Sequence, residues 1–351
     1  MKLLILYEEL AGYFVSCINR FVEKYNAEVL IFRKEVNQIA PFDFSKITGA
    51  KLLDRKYFTP QNLLIEINNF NPDAILCGGW MYQPYLDIAK NYQQKIPVIL
   101  AYDNKWQNTI KQKLLARFSK NFFHQRFSHC WVPGKQQAEF ARKIGFEPKN
   151  ISVGFYCADY DLFNGFYEAS ITQKKNNFPK RFIFTGRYAK SKGVNDLWNA
   201  FVQFKNEIPN SWELWCLGKG DINPILHSDI KHFGFVQPEE MKKIVAETSV
   251  FILPSHFEPW GVAVHEFAAA GFPLICSDKV GAVEYFLGHG ENGFLFKAGN
   301  VSELKECMKK FISMNDEQIL KMSEKSIEKA SKITLDTWAD TLYSIINQPK
   351  N

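Results

Sequence analysis

Short apolar runs alternate with helical patterns in two successive series along the chain. Each run is four to six residues long, as expected for a strand that is buried on both faces of a parallel sheet. The first series comprises residues 2–7, 28–32, 74–77, 97–101 and 129–132, and the second comprises residues 181–185, 212–217, 230–233, 249–253 and 273–276. Two such series predict an α/β chain with two doubly wound lobes.

The length of the chain also favours two domains, because 351 residues are too many for one ordinary core. A polar, basic stretch at 164–180 lacks periodic apolar residues and is predicted to be the linker. We therefore expect an N-terminal lobe at 1–165, a C-terminal lobe at 166–335, and a C-terminal helix at 336–351 that packs back on the N-terminal lobe. Open parallel sheets bind ligands at the carboxyl ends of their strands, which predicts a ligand in the cleft between the lobes.

The composition is that of a globular protein in a reducing compartment. Hydrophobic residues make up 46% of the chain and charged residues 23%, which excludes a disordered or fibrous protein. The 7 cysteines are scattered without a CxxC pair, and their odd number argues against a closed disulfide framework. No window reaches the roughly 18 apolar residues of a membrane span. We therefore expect a soluble, cytoplasmic protein.

Basic residues are concentrated in the segment 105–143. It contains nine lysines and arginines but one acidic residue, Glu139, and phenylalanines are interleaved with the cations. This pattern suits an anionic partner, either a phosphate-bearing substrate or an anionic membrane surface. A solvated helix face over buried phenylalanines accounts for it equally well. We expect peripheral contact with the inner face of the membrane through this segment, and no binding of nucleic acid.

Two glutamates eight residues apart indicate a binding site after the predicted strand at 249–253. Glu258 lies in a loop rich in proline and glycine, whereas Glu266 lies on a predicted helix, 261–270, among small apolar neighbours. A carboxylate on such a face needs hydrogen-bond donors, because an unpaired buried charge is costly. Sugar hydroxyls are suitable donors, and a backbone group or an arginine is the structural alternative.

Two elements of the second lobe are suited to bind phosphate. The helix that begins near Gly261 offers the N–H groups of its first turn, including that of Val262, and the positive end of its dipole. The loop after the predicted strand at 181–185 contributes Gly186 and three cations, Arg187, Lys190 and Lys192. Several cations in the same lobe as a helix N-terminus indicate a ligand with more than one negative charge, and a diphosphate fits.

These motifs resemble those of the retaining glycosyltransferases of family 4. The stretch E-P-W-G-V-A-V-H-E, 258–266, looks like the E-x7-E signature of that family, and G-R-x4-K-G, 186–193, is similar to its phosphate-binding loop. The match continues in the family's order through L-G-K-G at 217–220, F-G-F-V at 233–236, P-L-I-C-S-D at 273–278 and E-N-G-F-L-F at 291–296. The resemblance covers nearly the whole C-terminal half. It implies the GT-B architecture, with two Rossmann-like lobes of doubly wound parallel sheet and an interdomain cleft.

The resemblance also implies a phosphate site. Arg187 and Lys192, beside Gly186, would hold the pyrophosphate of the donor and neutralise the leaving nucleoside diphosphate. The backbone at Gly261 and Val262 would complete this site. Fixed cations and N–H dipoles would then stabilise the negative charge that grows as the glycosidic bond breaks.

The rest of the donor site follows from the same resemblance. Glu266 would accept hydrogen bonds from the ribose hydroxyls, and Glu258 would contact hydroxyls of the donor sugar. Phe235 and Val236 would line the base pocket. The loop after the first strand has a lone glycine, Gly12, instead of a clear glycine pair, and Gly12 is the donor contact expected there.

Asp103 is the candidate for the acceptor side. It lies in A-Y-D-N-K, 101–105, at an expected strand end where the family often has a histidine. Its carboxylate could orient or deprotonate the acceptor hydroxyl. Alternatively, it could cap a helix that begins near Trp106.

The resemblance as a whole implies a retaining glycosyltransferase of hexosyltransferase type that needs neither metal nor cofactor. It would move a sugar from a nucleotide-diphosphate sugar to a hydroxyl of a glycan or a lipid-linked acceptor, in bacterial surface polysaccharide or glycan synthesis. A nucleotide-sugar epimerase and a non-catalytic sugar-nucleotide-binding protein remain the alternatives. The sequence D-Y-D, 159–161, has the spacing of an Asp-x-Asp metal motif but no third ligand, and we interpret it as a structural turn.

Overall fold

The computed structural model describes residues 1–348, which form two compact units. The first unit comprises Met1–Asn37, Phe42–Cys157 and the described residues from Leu335 onward, and the second comprises Gln38–Pro41 and Ala158–Thr334. The chain passes from the first unit to the second between Cys157 and Ala158, eight residues before the expected boundary. The last three positions of the predicted helix at 336–351 lie outside the described residues.

Seven parallel strands form the sheet of the first unit, in the order β3-β2-β1-β4-β5-β6-β7. They are β1 (Lys2–Leu6), β2 (Glu28–Arg33), β3 (Ala50–Asp54), β4 (Ala74–Gly78), β5 (Val98–Ala101), β6 (His129–Val132) and β7 (Ile151–Val153). All five strands predicted in this half are present. The sequence did not predict β3 and β7, because both lie at sheet edges and neither carries a fully buried apolar run.

Seven helices within the described residues accompany this sheet. They are α1 (Gly12–Tyr25), α2 (Pro60–Phe70), α3 (Gln83–Tyr92), α4 (Ile110–Phe118), α5 (Lys120–His124), α6 (Lys135–Lys143) and α14 (Leu335–Ile346). The last helix of the described chain belongs to this unit, where Trp338 is buried and its Nε1 donates to Phe155 O at 2.7 Å. An ion pair of 2.7 Å between Arg20 and Asp336 also joins α14 to α1.

The second unit contains a sheet of six parallel strands in the order β10-β9-β8-β11-β12-β13. They are β8 (Arg181–Thr185), β9 (Glu213–Leu217), β10 (Ile230–Gly234), β11 (Val250–Leu253), β12 (Leu274–Ser277) and β13 (Gly293–Phe296). The first five match the predicted strands to within one residue at each end. The order reverses direction at the neighbours β8 and β11, and open α/β sheets bind ligands at such a switch point.

Seven helices belong to the second unit, and the first of them corrects the predicted linker. They are α7 (Tyr160–Asn176), α8 (Val194–Glu207), α9 (Lys242–Ala246), α10 (Val262–Ala269), α11 (Val283–Phe286), α12 (Val301–Ser313) and α13 (Asp316–Ala330). The prediction of a linker at 164–180 is wrong, because α7 runs through most of it. The buried face of α7 consists of Phe163, Phe166, Ser170 and Lys174. Because half of these residues are polar, the sequence does not show the regular spacing of apolar residues that marks an amphipathic helix.

No helix within residues 1–348 is both long enough and apolar enough to cross a membrane.

The acceptor and donor candidates follow the ends of strands in the two sheets. Asp103 follows β5 in the first unit, and the motif residues of the C-terminal half follow β8, β10 and β11 in the second.

Candidate functional site

The loop after β8 is held against the loop after β9 by backbone contacts that only glycine permits. A Cβ atom at Gly218 would lie 1.9 Å from the carbonyl oxygen of Gly186, and one at Gly220 would lie 2.3 Å from that of Tyr188. The Tyr188 ring is buried and anchors the loop. Beside it, the Arg187 side chain is exposed and forms no ion pair within residues 1–348.

The turn Lys190–Lys192 is joined to the loop after β11. Gly193 has φ +65° and approaches so closely that a Cβ atom there would lie 2.2 Å from Pro254 O. The N–H groups of His256 and Phe257 both donate to Ser191 O, at 2.8 and 3.2 Å. These contacts bring the G-R-x4-K-G and E-x7-E stretches side by side.

Lys192 and Glu258 meet at this junction. The Lys192 ammonium donates to Oε2 of the Glu258 carboxylate in an ion pair in which both side chains are largely buried. Ser255 Oγ lies 3.4 Å from the same oxygen. The other oxygen, Oε1, has no hydrogen-bond partner in the part of the chain that the structure describes. One oxygen of Glu258 is thus fixed by the protein and the other remains available to a ligand.

The amino end of α10 lies directly beyond this pair. Gly261 is the residue before the helix, with φ +93°, and no side chain caps the first turn. A Cβ atom at Gly261 would lie 3.0 Å from Glu258 Cγ, so glycine permits the close approach of the two. Gly261 and Val262 are both half-buried. The structure therefore places them beside Glu258, where the positive end of the helix dipole favours an anion.

Glu266 is an unpaired carboxylate on α10. Its side chain is half-buried, and within residues 1–348 neither carboxylate oxygen has a hydrogen-bond partner. Burial, and to a lesser extent the negative charge of Asp159, raises the pKa of Glu266 to about 7. The structural partners that the sequence left open, a backbone group or an arginine, do not contact this carboxylate in the described chain. A ligand that donates hydrogen bonds would satisfy it.

The neighbouring His265 has a structural role. Its ring is fully buried and stacks on Phe286 with a centroid distance of 4.2 Å. Ala158 N donates to Nδ1 at 3.0 Å, and Nε2 lies 3.1 Å from Ala330 O, so these partners assign the neutral tautomer with the proton on Nε2. Burial lowers the pKa of His265 to about 4. The ring ties α10 to the start of α7 and the end of α13.

Phe235 and Val236 follow the carboxyl end of β10, and both side chains are half-buried. β10 is two strands away from β8 in the sheet, with β9 between them. Gly218 N donates to Gly234 O at 2.7 Å, which holds the loops after β9 and β10 together. The predicted base-pocket residues and the predicted phosphate loop thus both follow the carboxyl ends of strands in the same parallel sheet.

In the first unit, Asp103 does not cap a helix. Residues 102–109 are irregular, and α4 begins at Ile110 with Thr109 as its cap. Tyr156 Oη instead donates to Asp103 Oδ2 at 3.3 Å. Burial raises the pKa of the Tyr156 phenol well above its usual value, so Tyr156 remains a neutral donor. Gly12, the remaining candidate of this unit, is the first residue of α1.

The sequence did not reveal Tyr156, Asp159 and Asp196 as contributors to these clusters. Tyr156 follows β7, a strand too short to be recognised. Asp159 caps α7 by accepting from Leu162 N at 3.1 Å, which agrees with the interpretation of D-Y-D as a structural turn. Asp196 Oδ2 lies 2.6 Å from His256 Nε2 and fixes that ring in the loop after β11.

Within residues 1–348 no three His, Cys, Asp or Glu side chains are grouped so that they could hold a metal ion.

Comparison with known proteins relates the second unit to one family. Residues 168–332 match the model of the family described as Glycosyl transferases group 1. A 2-deoxystreptamine N-acetyl-D-glucosaminyltransferase of Niallia circulans is 28% identical over 139 residues, which are 36% of this chain and 34% of that protein. An alpha-monoglucosyldiacylglycerol synthase of Acholeplasma laidlawii is 32% identical over 124 residues, which are 32% of this chain and 30% of that protein. The chain thus aligns with about a third of the length of these curated relatives.

The likeness to solved structures extends over nearly the whole chain. Anabaena HepE in complex with UDP-glucose superposes with a TM-score of 0.74 at 16% identity, covering 99% of this chain and 100% of that one. At this identity the likeness shows the fold alone. The prediction of an α/β chain with two Rossmann-like lobes of the GT-B class is confirmed.

Proposed function

We propose that this chain, whose residues 168–332 match the group 1 glycosyl transferases, is a retaining glycosyltransferase that uses a nucleotide-diphosphate sugar. The observation that carries the proposal is the Glu266 carboxylate, which is half-buried, unpaired within the described chain and raised in pKa to about 7. Such a group is unfavourable without hydrogen-bond donors. Two adjacent ribose hydroxyls would supply two donors to one carboxylate.

The phosphate site would lie at the amino end of α10. Its first-turn backbone, at Gly261 and Val262, carries no side-chain cap, and the Arg187 guanidinium in the loop after β8 is exposed and unpaired within residues 1–348. Lys192 already neutralises Glu258 and would also contact the diphosphate, which has the higher charge. These groups would stabilise the leaving nucleoside diphosphate as its charge grows.

The remaining candidates complete the proposal. Glu258 Oε1 would accept a hydrogen bond from a donor sugar hydroxyl, and Phe235 and Val236 would flank the base. Gly12 would contribute from the start of α1. In the first unit Asp103, held by Tyr156, would orient or deprotonate the acceptor hydroxyl.

The proposed reaction is hexosyl transfer without a metal or cofactor. The bond from the anomeric carbon to the diphosphate oxygen breaks, and a bond from the same carbon to the acceptor oxygen forms with retention of configuration. The nucleoside diphosphate takes the electron pair, and the acceptor proton passes to Asp103 or to the departing phosphate. We propose a glycan or lipid-linked acceptor in bacterial surface polysaccharide or glycan synthesis, in the cytoplasm, with peripheral membrane contact through the segment 105–143.

The test is a transfer assay with a panel of nucleotide sugars and an extract of polyprenyl-phosphate-linked and free glycan acceptors. We expect release of one nucleoside diphosphate and an acceptor-dependent product whose anomeric configuration, read by proton nuclear magnetic resonance, equals that of the donor. An inverted product would contradict the retaining mechanism. Interconversion of the donor without acceptor would indicate an epimerase, and donor binding without turnover would indicate a binding protein.

A further inference from the structure

The helix α4 of the first unit presents large apolar side chains to solvent. Ile110, Leu114 and Phe118 are 77%, 53% and 73% exposed. They recur every four residues, so they lie one above another along a single stripe of the helix. No residue of α4 is fully buried. We call these three side chains the α4 stripe.

The opposite face of α4 is the one that packs on the protein. Gln112, Leu115 and Ala116 are half-buried, and Leu115 packs against the core of the first unit. On a helix that advances about 100° per residue, the centre of the α4 stripe is roughly 150° away from this packed face. Helices of globular proteins usually place their apolar stripe toward the core and polar residues outward. In α4, by contrast, the apolar stripe faces outward to solvent.

Cations flank the α4 stripe on both sides. Lys111, Lys113 and Arg117 are exposed, and none of them forms an ion pair within residues 1–348. The chain contains no acidic residue between Asp103 and Glu139. An apolar stripe between unpaired cations has the chemistry of a helix that lies in the surface of an anionic bilayer. A second copy of this chain would bring the same positive charges to the interface and would be repelled.

We propose that α4 is a docking helix for an anionic lipid surface. Ile110, Leu114 and Phe118 insert below the lipid headgroups, and Lys111, Lys113 and Arg117 contact the lipid phosphates. The inference rests on the proposed function, whose membrane contact it assigns to one helix. α4 begins seven residues after Asp103, so docking would hold the proposed acceptor residue near a lipid-linked substrate.

The test is sedimentation of the full chain with vesicles, without donor or acceptor. The vesicles are phosphatidylglycerol with phosphatidylcholine in equal amounts, or phosphatidylcholine alone. We expect binding to the anionic vesicles that weakens at least about tenfold as salt rises from 0.05 to 0.5 M. The triple variant Ile110→Ser, Leu114→Ser, Phe118→Ser should lose binding at least about tenfold. The matched control is Ile65→Ser with Leu226→Ser, two apolar side chains exposed elsewhere, and it should bind like the wild type.

A second variant keeps the test independent of the apolar substitutions. Lys113→Gln with Arg117→Gln should lose most of the salt-sensitive binding while its melting temperature stays unchanged. The proposal is overturned if the wild type does not sediment with anionic vesicles, if it binds neutral vesicles equally, or if the triple variant binds as well as the wild type. A concentration-dependent dimer that the triple variant abolishes would also overturn it, in favour of a second copy. Binding of nucleoside diphosphate by the triple variant tests the proposed function separately.

Discussion

The Lys192 ammonium donates to the Glu258 carboxylate, and this ion pair joins the two motif loops of the second unit. The pair is largely buried, so its members are not independent. Removing one member leaves the other as an uncompensated charge, whereas removing both does not. The effect of each residue on stability can therefore be separated from its effect on catalysis.

Lys192→Met should destabilise the protein by roughly 3 kcal/mol, because Glu258 is left buried without its partner. The double variant Lys192→Met, Glu258→Gln should recover most of that stability. Both variants should lose transfer activity by at least about 100-fold, since a donor to the developing charge is gone. Urea unfolding and steady-state rates measure the two effects, with Lys242→Met, at an exposed lysine of α9, as the control. Recovery of activity together with stability in the double variant would show that the pair is only structural.

Glu266 should make the unliganded protein less stable as pH rises. Its folded pKa, about 7, lies above the unfolded value near 4.5, so the favourable contribution of the protonated carboxyl is fully present below pH 4.5 and is lost as pH rises through 7. Relative to wild type, Glu266→Gln should therefore gain about 1 to 3 kcal/mol between pH 5 and pH 8. Chemical denaturation at both pH values measures this, with Glu324→Gln on the exposed face of α13 as control. A difference that does not change with pH would contradict the raised pKa.

Gly193→Ala should disrupt the junction that brings Lys192 to Glu258. The added Cβ would lie 2.2 Å from Pro254 O, at a position with φ +65°. Gly299 is the matched control, because it has φ +80° and nothing within 4 Å of an added Cβ. Gly299→Ala should lose only the roughly 1 to 2 kcal/mol of left-handed strain, whereas Gly193→Ala should lose more than that and also its donor binding. Equal losses of stability in the two variants, with donor binding intact, would contradict the role of the close approach.

Tyr156→Phe tests whether Asp103 acts on the acceptor. Tyr156 Oη donates to the Asp103 carboxylate at 3.3 Å, and the variant removes this donor together with the hydrogen bond between the Tyr156 and Tyr7 side chains. We expect kcat to fall about tenfold, and Asp103→Asn to lower it at least about 100-fold. Binding of nucleoside diphosphate should be unchanged in both, and Tyr92→Phe, in the same unit, serves as control. Near-normal turnover by Asp103→Asn would assign Asp103 a structural role.

The sequence predicted the two-lobed fold and ten of its strands because buried parallel strands are short and continuously apolar. It missed the three strands β3, β7 and β13, which all lie at sheet edges. It also missed α7, because the inner face of this helix includes the polar residues Ser170 and Lys174.

The sequence identified the candidate residues but not the contacts between them. The spacing of Glu258 and Glu266 follows the chain, whereas the pairing of Lys192 with Glu258 depends on Gly193 lying against Pro254, 61 residues away in sequence. The pKa of Glu266 is raised mainly by burial and also by the charge of Asp159, and both depend on how α10 packs against the start of α7. Such long-range approaches leave no local signal in one sequence.

The central claim is that the second unit binds a nucleoside diphosphate through Arg187 and Glu266. The most direct test is the unfolding free energy of the wild type, Arg187→Ala and Glu266→Gln with a panel of nucleoside diphosphates. At a hundred times its dissociation constant, the correct ligand should stabilise the wild type by about 2.7 kcal/mol. We predict that one base gives this increase and that both variants lose most of it. A well-folded wild type that no nucleoside diphosphate stabilises would contradict the account.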